Sequence, residues 1–300
     1  MRAISAVVVA ASAPLLVSAA TPSRLVVTGD GVLAATLNGA PLRMMIDPAA
    51  TAMPLVTAAA ARRAGLKPSF FDFAYRVGPQ RITGNSAVAR IDVGSGPDKR
   101  RVGWSDRPWR SGVDGVIGPG MLDQTVVHFQ LRAPQAGEIE SRFPLVDQGG
   151  IEGRWGERFA RLDLGGRALR LQFDPQAPAT LATAQAGSLV AEEMGGTFAG
   201  APRSAPIAIG VARPVRRRHL RQPLAIGSLS LTELDVRTGD FGSAGGIAEQ
   251  GDADPSEIVV TARTKWKAQY DQIKLGRDVL QNCSSITFDR AAKRVTLRCR

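Results

Sequence analysis

Met45-Ile46-Asp47-Pro48-Ala49-Ala50 and Gln172-Phe173-Asp174-Pro175-Gln176-Ala177 are two versions of one phrase in a chain of 300 residues. Ahead of each Asp the chain reads strand, tight turn, strand. In the first copy these are Val32–Leu37, Asn38-Gly39 and Leu42–Ile46; in the second they are Phe159–Leu164, Gly165-Gly166 and Leu169–Phe173. Asn-Gly is the strongest short hairpin signal, because both of its residues tolerate positive φ. Behind each Asp comes an Ala-rich stretch closed by glycine, Leu55 to Gly65 and Leu181 to Gly195, which predicts a short helix. Further on, Val93-Gly94-Ser95 matches Ile226-Gly227-Ser228, and Val116-Ile117-Gly118 matches Lys274-Leu275-Gly276. Shared landmarks in a shared order imply an internal duplication. Two copies, each ending a strand in a carboxylate, would set two aspartates face to face.

Short alternating strands fill the rest of both halves, so the expected class is mainly β with few helices. The stretch from Gly137 to Gly156 turns polar and Gly-rich around Gln148-Gly149-Gly150 and reads as a connection. That divides the mature chain into lobes at about 22–147 and 155–300. The second copy is the longer, with its excess between Arg237 and Lys267, where glycines alternate with acids as in a surface loop.

Residues 1–20 carry Arg2, an apolar run from Ala6 to Val17, and Ser18-Ala19-Ala20 before Thr21, the pattern of a cleaved export signal. The run is shorter than the roughly 20 residues a spanning helix needs. A periplasmic or secreted location is therefore expected. Cys283 and Cys299 fit an exported chain, since they flank an alternating stretch that turns near Ala291. Pairing Phe288 with Arg294 and Ile286 with Thr296 sets them opposite each other, as a disulfide requires. The net charge of +11 concentrates at Lys99-Arg100-Arg101 and at Arg213, Arg216, Arg217, Arg218 and Arg221. With aromatics at only 5% and no reading helix, nucleic acid is not the expected partner. A solvated basic loop that touches anionic envelope polymers through Arg216, Arg217 and Arg218 fits better. His128 and His219 are the only histidines, which gives a Ser-His-Asp triad or a His-rich zinc site little to work with.

Taken in order, the strand ending in Asp47, the Gly-containing segment Ile82-Thr83-Gly84-Asn85-Ser86, and Gly115-Val116-Ile117-Gly118 followed by Met121-Leu122 resemble a pepsin/retropepsin-like aspartic peptidase. The second copy repeats the likeness with Asp174, Ile226-Gly227 and Ile273-Lys274-Leu275-Gly276-Arg277-Asp278-Val279-Leu280, across nearly the whole mature chain. The resemblance implies a two-lobed β-barrel fold with pseudo-twofold symmetry. It makes Asp47 and Asp174 the catalytic pair, sharing a proton while one activates water and the other protonates the substrate carbonyl. It also places a flap around Gly84 with Tyr75 at its base, gives Gly118 and Gly276 contact with a polypeptide substrate, and calls for no metal or cofactor.

The chain departs from the family where Ser or Thr and then Gly should follow each Asp. Pro48-Ala49 and Pro175-Gln176 stand there instead, and proline supplies neither hydroxyl nor N–H. One reading is a working variant in which the rigid φ of proline replaces the hydroxyl brace. The other is a catalytically inactive pseudopeptidase that keeps the interlobe cleft for extended peptides, with both aspartates accepting loop amides. Asp-Pro as a bare turn-initiating pair is a third. Glu257-Ile258-Val259-Val260-Thr261-Ala262 is similar to the TonB box of outer-membrane receptors, but it lies within the long insertion, so the expectation is against a TonB-type partner.

Overall fold

The computed structural model describes residues 23–50, 53–78, 80–148, 157–239 and 271–300. The expected export signal at residues 1–20, the expected connection at 149–156, the expected insertion beyond Gly239 and the TonB-like Glu257–Ala262 lie outside them. Among the described residues the chain is mainly β, with few helices, in sheets of seven and twelve strands.

Strand pairing follows the same local pattern in the two halves. β2 (Val32–Leu37) and β3 (Ala40–Ile46) form an antiparallel hairpin through Asn38 and Gly39, at φ 51° and 84°. β3 then runs parallel to β8 (Gly115–Ile117). β4 (Leu55–Thr57) lies antiparallel on the far side of β8 and parallel to β7 (Asp98–Ser105). In the second half β11 (Glu157–Leu164) and β12 (Arg167–Phe173) turn at Gly165 and Gly166, and β12 runs parallel to β17 (Gln272–Leu275). β13 (Leu181–Ala182) is again antiparallel to that strand and parallel to β16 (Leu229–Arg237). Between come two long hairpins. The first is β5 (Phe73–Val77) with β6 (Gln80–Asp92), the second β14 (Thr197–Ala208) with β15 (Val211–Ile226).

The helices start later than the Ala-rich stretches predict. Leu55–Thr57 and Leu181–Ala182 are strands. α1 (Ala58–Arg63) and α2 (Ala184–Met194) begin only after Thr57 and Thr183, whose side chains accept the amides of Ala60 and Ala186. A threonine in extended conformation that caps an N-terminus marks the switch from strand to helix.

Strands outside the repeat join the ends of the chain. β1 (Arg24–Val27), β9 (Val126–Gln130), β18 (Cys283–Asp289), β19 (Arg294–Cys299) and β10 (Ile139–Gln148) lie side by side in that order, and β10 continues into β11. The C-terminal hairpin therefore sits between strands of the first half. Phe288 packs edge-on against both Phe129 and Phe173, with ring centroids 5.9 and 6.0 Å away, which ties the two halves into one core.

Cys283 and Cys299 are opposed and form a disulfide. The register between them differs by one residue from the predicted one. Phe288 pairs with Val295 and Ile286 with Leu297, and an irregularity at Ser284 restores the cysteine alignment. A bulge of this kind admits one extra residue on one strand.

Candidate functional site

Asp47 and Asp174 each extend a central strand by one residue, their amides donating to the carbonyls of Ile117 (3.0 Å) and Leu275 (2.8 Å). The chain then turns. Ala50 N–H closes on the Asp47 carbonyl at 3.1 Å and Ala177 N–H on that of Asp174 at 3.0 Å. In a turn of this form Asp belongs at the first position and proline at the second, because the fixed φ of proline is the one required and its missing N–H has no task there. One oxygen of each carboxylate folds back onto the turn. Asp47 Oδ1 accepts Ala49 N–H at 2.8 Å, and Asp174 Oδ1 accepts the amides of Gln176 (3.2 Å) and Ala177 (3.1 Å). Both side chains are buried.

The brace expected from a hydroxyl comes instead from the β7–β8 connection. Arg110 donates through Nε to Asp47 Oδ2 at 2.8 Å and through Nη2 to Asp174 Oδ1 at 2.7 Å, so one guanidinium joins the two aspartates. Trp109 adds its indole N–H to Asp47 Oδ2 at 3.1 Å and meets the Tyr75 ring edge-on at 5.3 Å. Burial alone would push the Arg110 guanidinium down, but the two carboxylates outweigh it and hold the group above its ordinary value. Its loop is fixed at the base. Asp114 accepts Arg43 N–H at 2.9 Å and Arg63 Nη2 at 2.7 Å, and Arg43 Nη1 reaches the Gly112 carbonyl at 2.9 Å.

The second half adds a lysine. Lys274 occupies on β17 the place Val116 holds on β8, since each pairs with the residue two before its Asp. Its Nζ donates to the Ile207 carbonyl at 3.0 Å and stands 3.5 Å from Asp174 Oδ2. Desolvation pushes this ammonium below the usual lysine range; Asp174 opposes that and Arg110 reinforces it. Lys274, Arg110, Asp174 and Pro178 line a cavity of about 190 Å³, closed by the β14–β15 tip. At that tip Ile209 and Gly210 both have positive φ, 50° and 64°, a conformation a β-branched residue rarely adopts. Ile209 is 1% exposed and packs with Ala50, Leu55, Phe73 and Val116 of the first half. Its apolar burial holds the turn in place.

The other expected site residues fall differently. The first long hairpin turns between Val77 and Gln80, so Gly84 is not at a flap tip but within β6, opposite Phe73. A side chain there would meet the Trp104 carbonyl at 2.3 Å, so this glycine serves close strand packing. Tyr75 meets the ring of Trp109, whose indole N–H reaches Asp47. Gly118 and Gly276 are buried at the ends of β8 and β17 and do not line the cavity. A Cβ on Gly276 would fall 2.4 Å from the backbone of Ala179. The arginine-rich stretch is strand β15 rather than a loop. Arg217 pairs with Asp235 and Glu233, Arg216 and Arg218 stack on Phe198, and Arg218 is buried.

The sequence reading missed Arg110. Its signal was a Trp-Arg pair in a polar connection running straight into Gly115-Val116-Ile117-Gly118, which flanks Asp47. Asp278 was also missed as a brace, accepting Thr180 N–H at 2.8 Å and its hydroxyl at 2.9 Å. Among the described residues no three His, Cys, Asp or Glu side chains cluster as a metal site, and no helix is long and apolar enough to cross a membrane. Compared with known proteins, the chain matches no family model and no curated sequence.

Proposed function

We propose that this chain is an exported, two-lobed aspartic-peptidase-like protein that binds extended polypeptide and does not cleave it. The repeated strand-Asp-Pro unit supports the lineage, and the pairing of β3 with β8 and of β12 with β17 gives the halves the same local topology. The observation that carries the inactive reading is the guanidinium between the acids. Hydrolysis by paired aspartates needs one proton held between them and a water seated against both. Here the Nε–H and Nη2–H of Arg110 take those places, and the remaining oxygens are engaged by loop amides, Trp109 and Lys274. The cavity beside Asp174 and the edge strand β5, last in its sheet, leave room for a chain added in extended form.

The second reading, an active peptidase, keeps one specific support. Both halves retain Asp in the same turn, within reach of a single side chain. Cleavage of unfolded casein, followed by mass spectrometry from acid to neutral pH, decides between the two. The binder shows no new fragments while casein changes the tryptophan fluorescence. Cleavage that disappears in both Asp47→Asn and Asp174→Asn would establish the peptidase instead.

A further inference from the structure

The most exposed large apolar side chains lie far from the aspartates in sequence neighbourhood and on a different element, the segment between α1 and β5. Phe70 is 95% exposed and Phe71 63%, their rings edge-on at 5.7 Å. Burying two phenylalanines is among the larger apolar gains available to a chain, so leaving both in solvent calls for an explanation.

The segment is held rigidly outward. Ser69 N–H donates to the Ser86 carbonyl at 2.8 Å, and the Ser86 hydroxyl donates to the Phe71 carbonyl. Arg101 Nη1 donates to the hydroxyls of Ser69 (2.8 Å) and Ser86 (2.9 Å), and its guanidinium lies 5.1 Å over the Phe71 ring. Phe73, buried at 3%, anchors the far end. The pair is thus presented by a network of fixed polar contacts.

Cations share the strand face on which Arg101 lies. Val88, itself 58% exposed, pairs across the strands with Arg101, and Arg90 pairs with Lys99 on the same face. Lys67 is exposed on the segment itself, and Asp72 is its one carboxylate between Leu66 and Phe73. Solvated aromatic rings beside lysine and arginine complement a surface that is apolar within and anionic at its boundary.

We propose that the Phe70-Phe71 segment is an interfacial anchor that seats this protein on an anionic phospholipid bilayer. Charge and exposure together choose the occupant: two solvated rings flanked by Lys67 and Arg101, with Arg90 and Lys99 on the same strand face, suit a layer that is apolar within and anionic at its surface. Two rings and a few cations give weak, reversible attachment that needs both contributions.

The test is co-sedimentation of the full chain with vesicles of phosphatidylcholine alone or mixed with phosphatidylglycerol. Binding is expected only to the anionic vesicles and is expected to weaken with salt. Phe70→Ser, at the 95% exposed position, should leave the melting curve unchanged, and the Phe70→Ser/Phe71→Ser pair, which also gives up the Arg101 stacking, should stay folded while lowering vesicle affinity about tenfold or more. Because every arm carries the same remaining sequence, the loss isolates this segment from other apolar stretches. Equal binding to neutral vesicles, undiminished binding by the double variant, or capture by polyglutamate in place of vesicles would overturn the proposal.

Discussion

Arg110 Nη2 stands 2.7 Å from Asp174 Oδ1, a contact between residues 64 apart that belong to different copies of the repeat. The same guanidinium holds Asp47, so its removal would strand two buried carboxylates at once. Arg110→Gln is expected to cost about 3 kcal/mol, the low end for breaking a buried pair because the arginine is partly solvated. Urea unfolding measures it, and an unchanged midpoint would show that the bridge contributes nothing to stability.

Lys274→Met should behave in the opposite way. The lysine is the one departure from an apolar pattern that holds Val116 at the matching place, and Arg110 remains to compensate Asp174. Lys274 carries a desolvation penalty of its own, and without the ammonium Asp174 keeps Arg110 and the amides of Gln176 and Ala177, so no uncompensated charge is left behind. The expected change is within about 1 kcal/mol of zero. A loss as large as that of Arg110→Gln would mean the ammonium is the chief counterion of Asp174.

Ile209→Asn trades strain for burial. Asparagine favours the left-handed turn that isoleucine tolerates poorly, but it gives up an apolar contact with the other half. A net loss of about 1 kcal/mol is expected, since roughly 2 kcal/mol of burial outweighs roughly 1 kcal/mol of strain. The sharper readout is hydrogen exchange, which should quicken at Ala208–Val211 while the strands beneath Asp174 stay protected.

Gly84→Ala forces a methyl group against the Trp104 carbonyl, 2.3 Å from where its carbon would sit. Backbone cannot yield as a flexible side chain can, and the expected cost is about 3 kcal/mol. Thr83→Ala, at an exposed neighbouring position, should change the melting temperature little.

His128 makes stability pH-dependent. Burial, and secondarily the charge of Arg24, hold its imidazole below the ordinary value of 6.5. The unfolded chain therefore takes up this proton first as pH falls, so stability is complete above 6.5 and declines on acidification through that value. His128→Gln should lessen the fall in melting temperature between neutral and mildly acid solution. The hydrogen bond between Nδ1 and the Thr287 hydroxyl, 2.8 Å long, is one that glutamine can imitate.

Much of this architecture is written locally. Asn38-Gly39 and Gly165-Gly166 can hardly be anything but tight turns, and each apolar strand after them stops at an acid. The repeat was therefore legible, and so was the opposition of Cys283 and Cys299. What escaped reading depends on the third dimension. The hairpin register slips by one because a bulge at Ser284 leaves no mark in alternation. The first long hairpin turns at Gly78 rather than Gly84, because Gly84 answers to the approach of a neighbouring carbonyl. Arg110 was hidden for a similar reason: nothing in a polar connection says which carboxylates it will meet.

The placement of β18 and β19 also orders events in time. β9 has no antiparallel neighbour until Cys283–Asp289 is made, so synthesis must pass that strand before this part of the twelve-stranded sheet can close. Vectorial completion of the N-terminal half is ruled out by connectivity alone. Removing β19 leaves the facing edges of β18 and β10 without their partner inside the twelve-stranded sheet, so the damage is architectural rather than marginal.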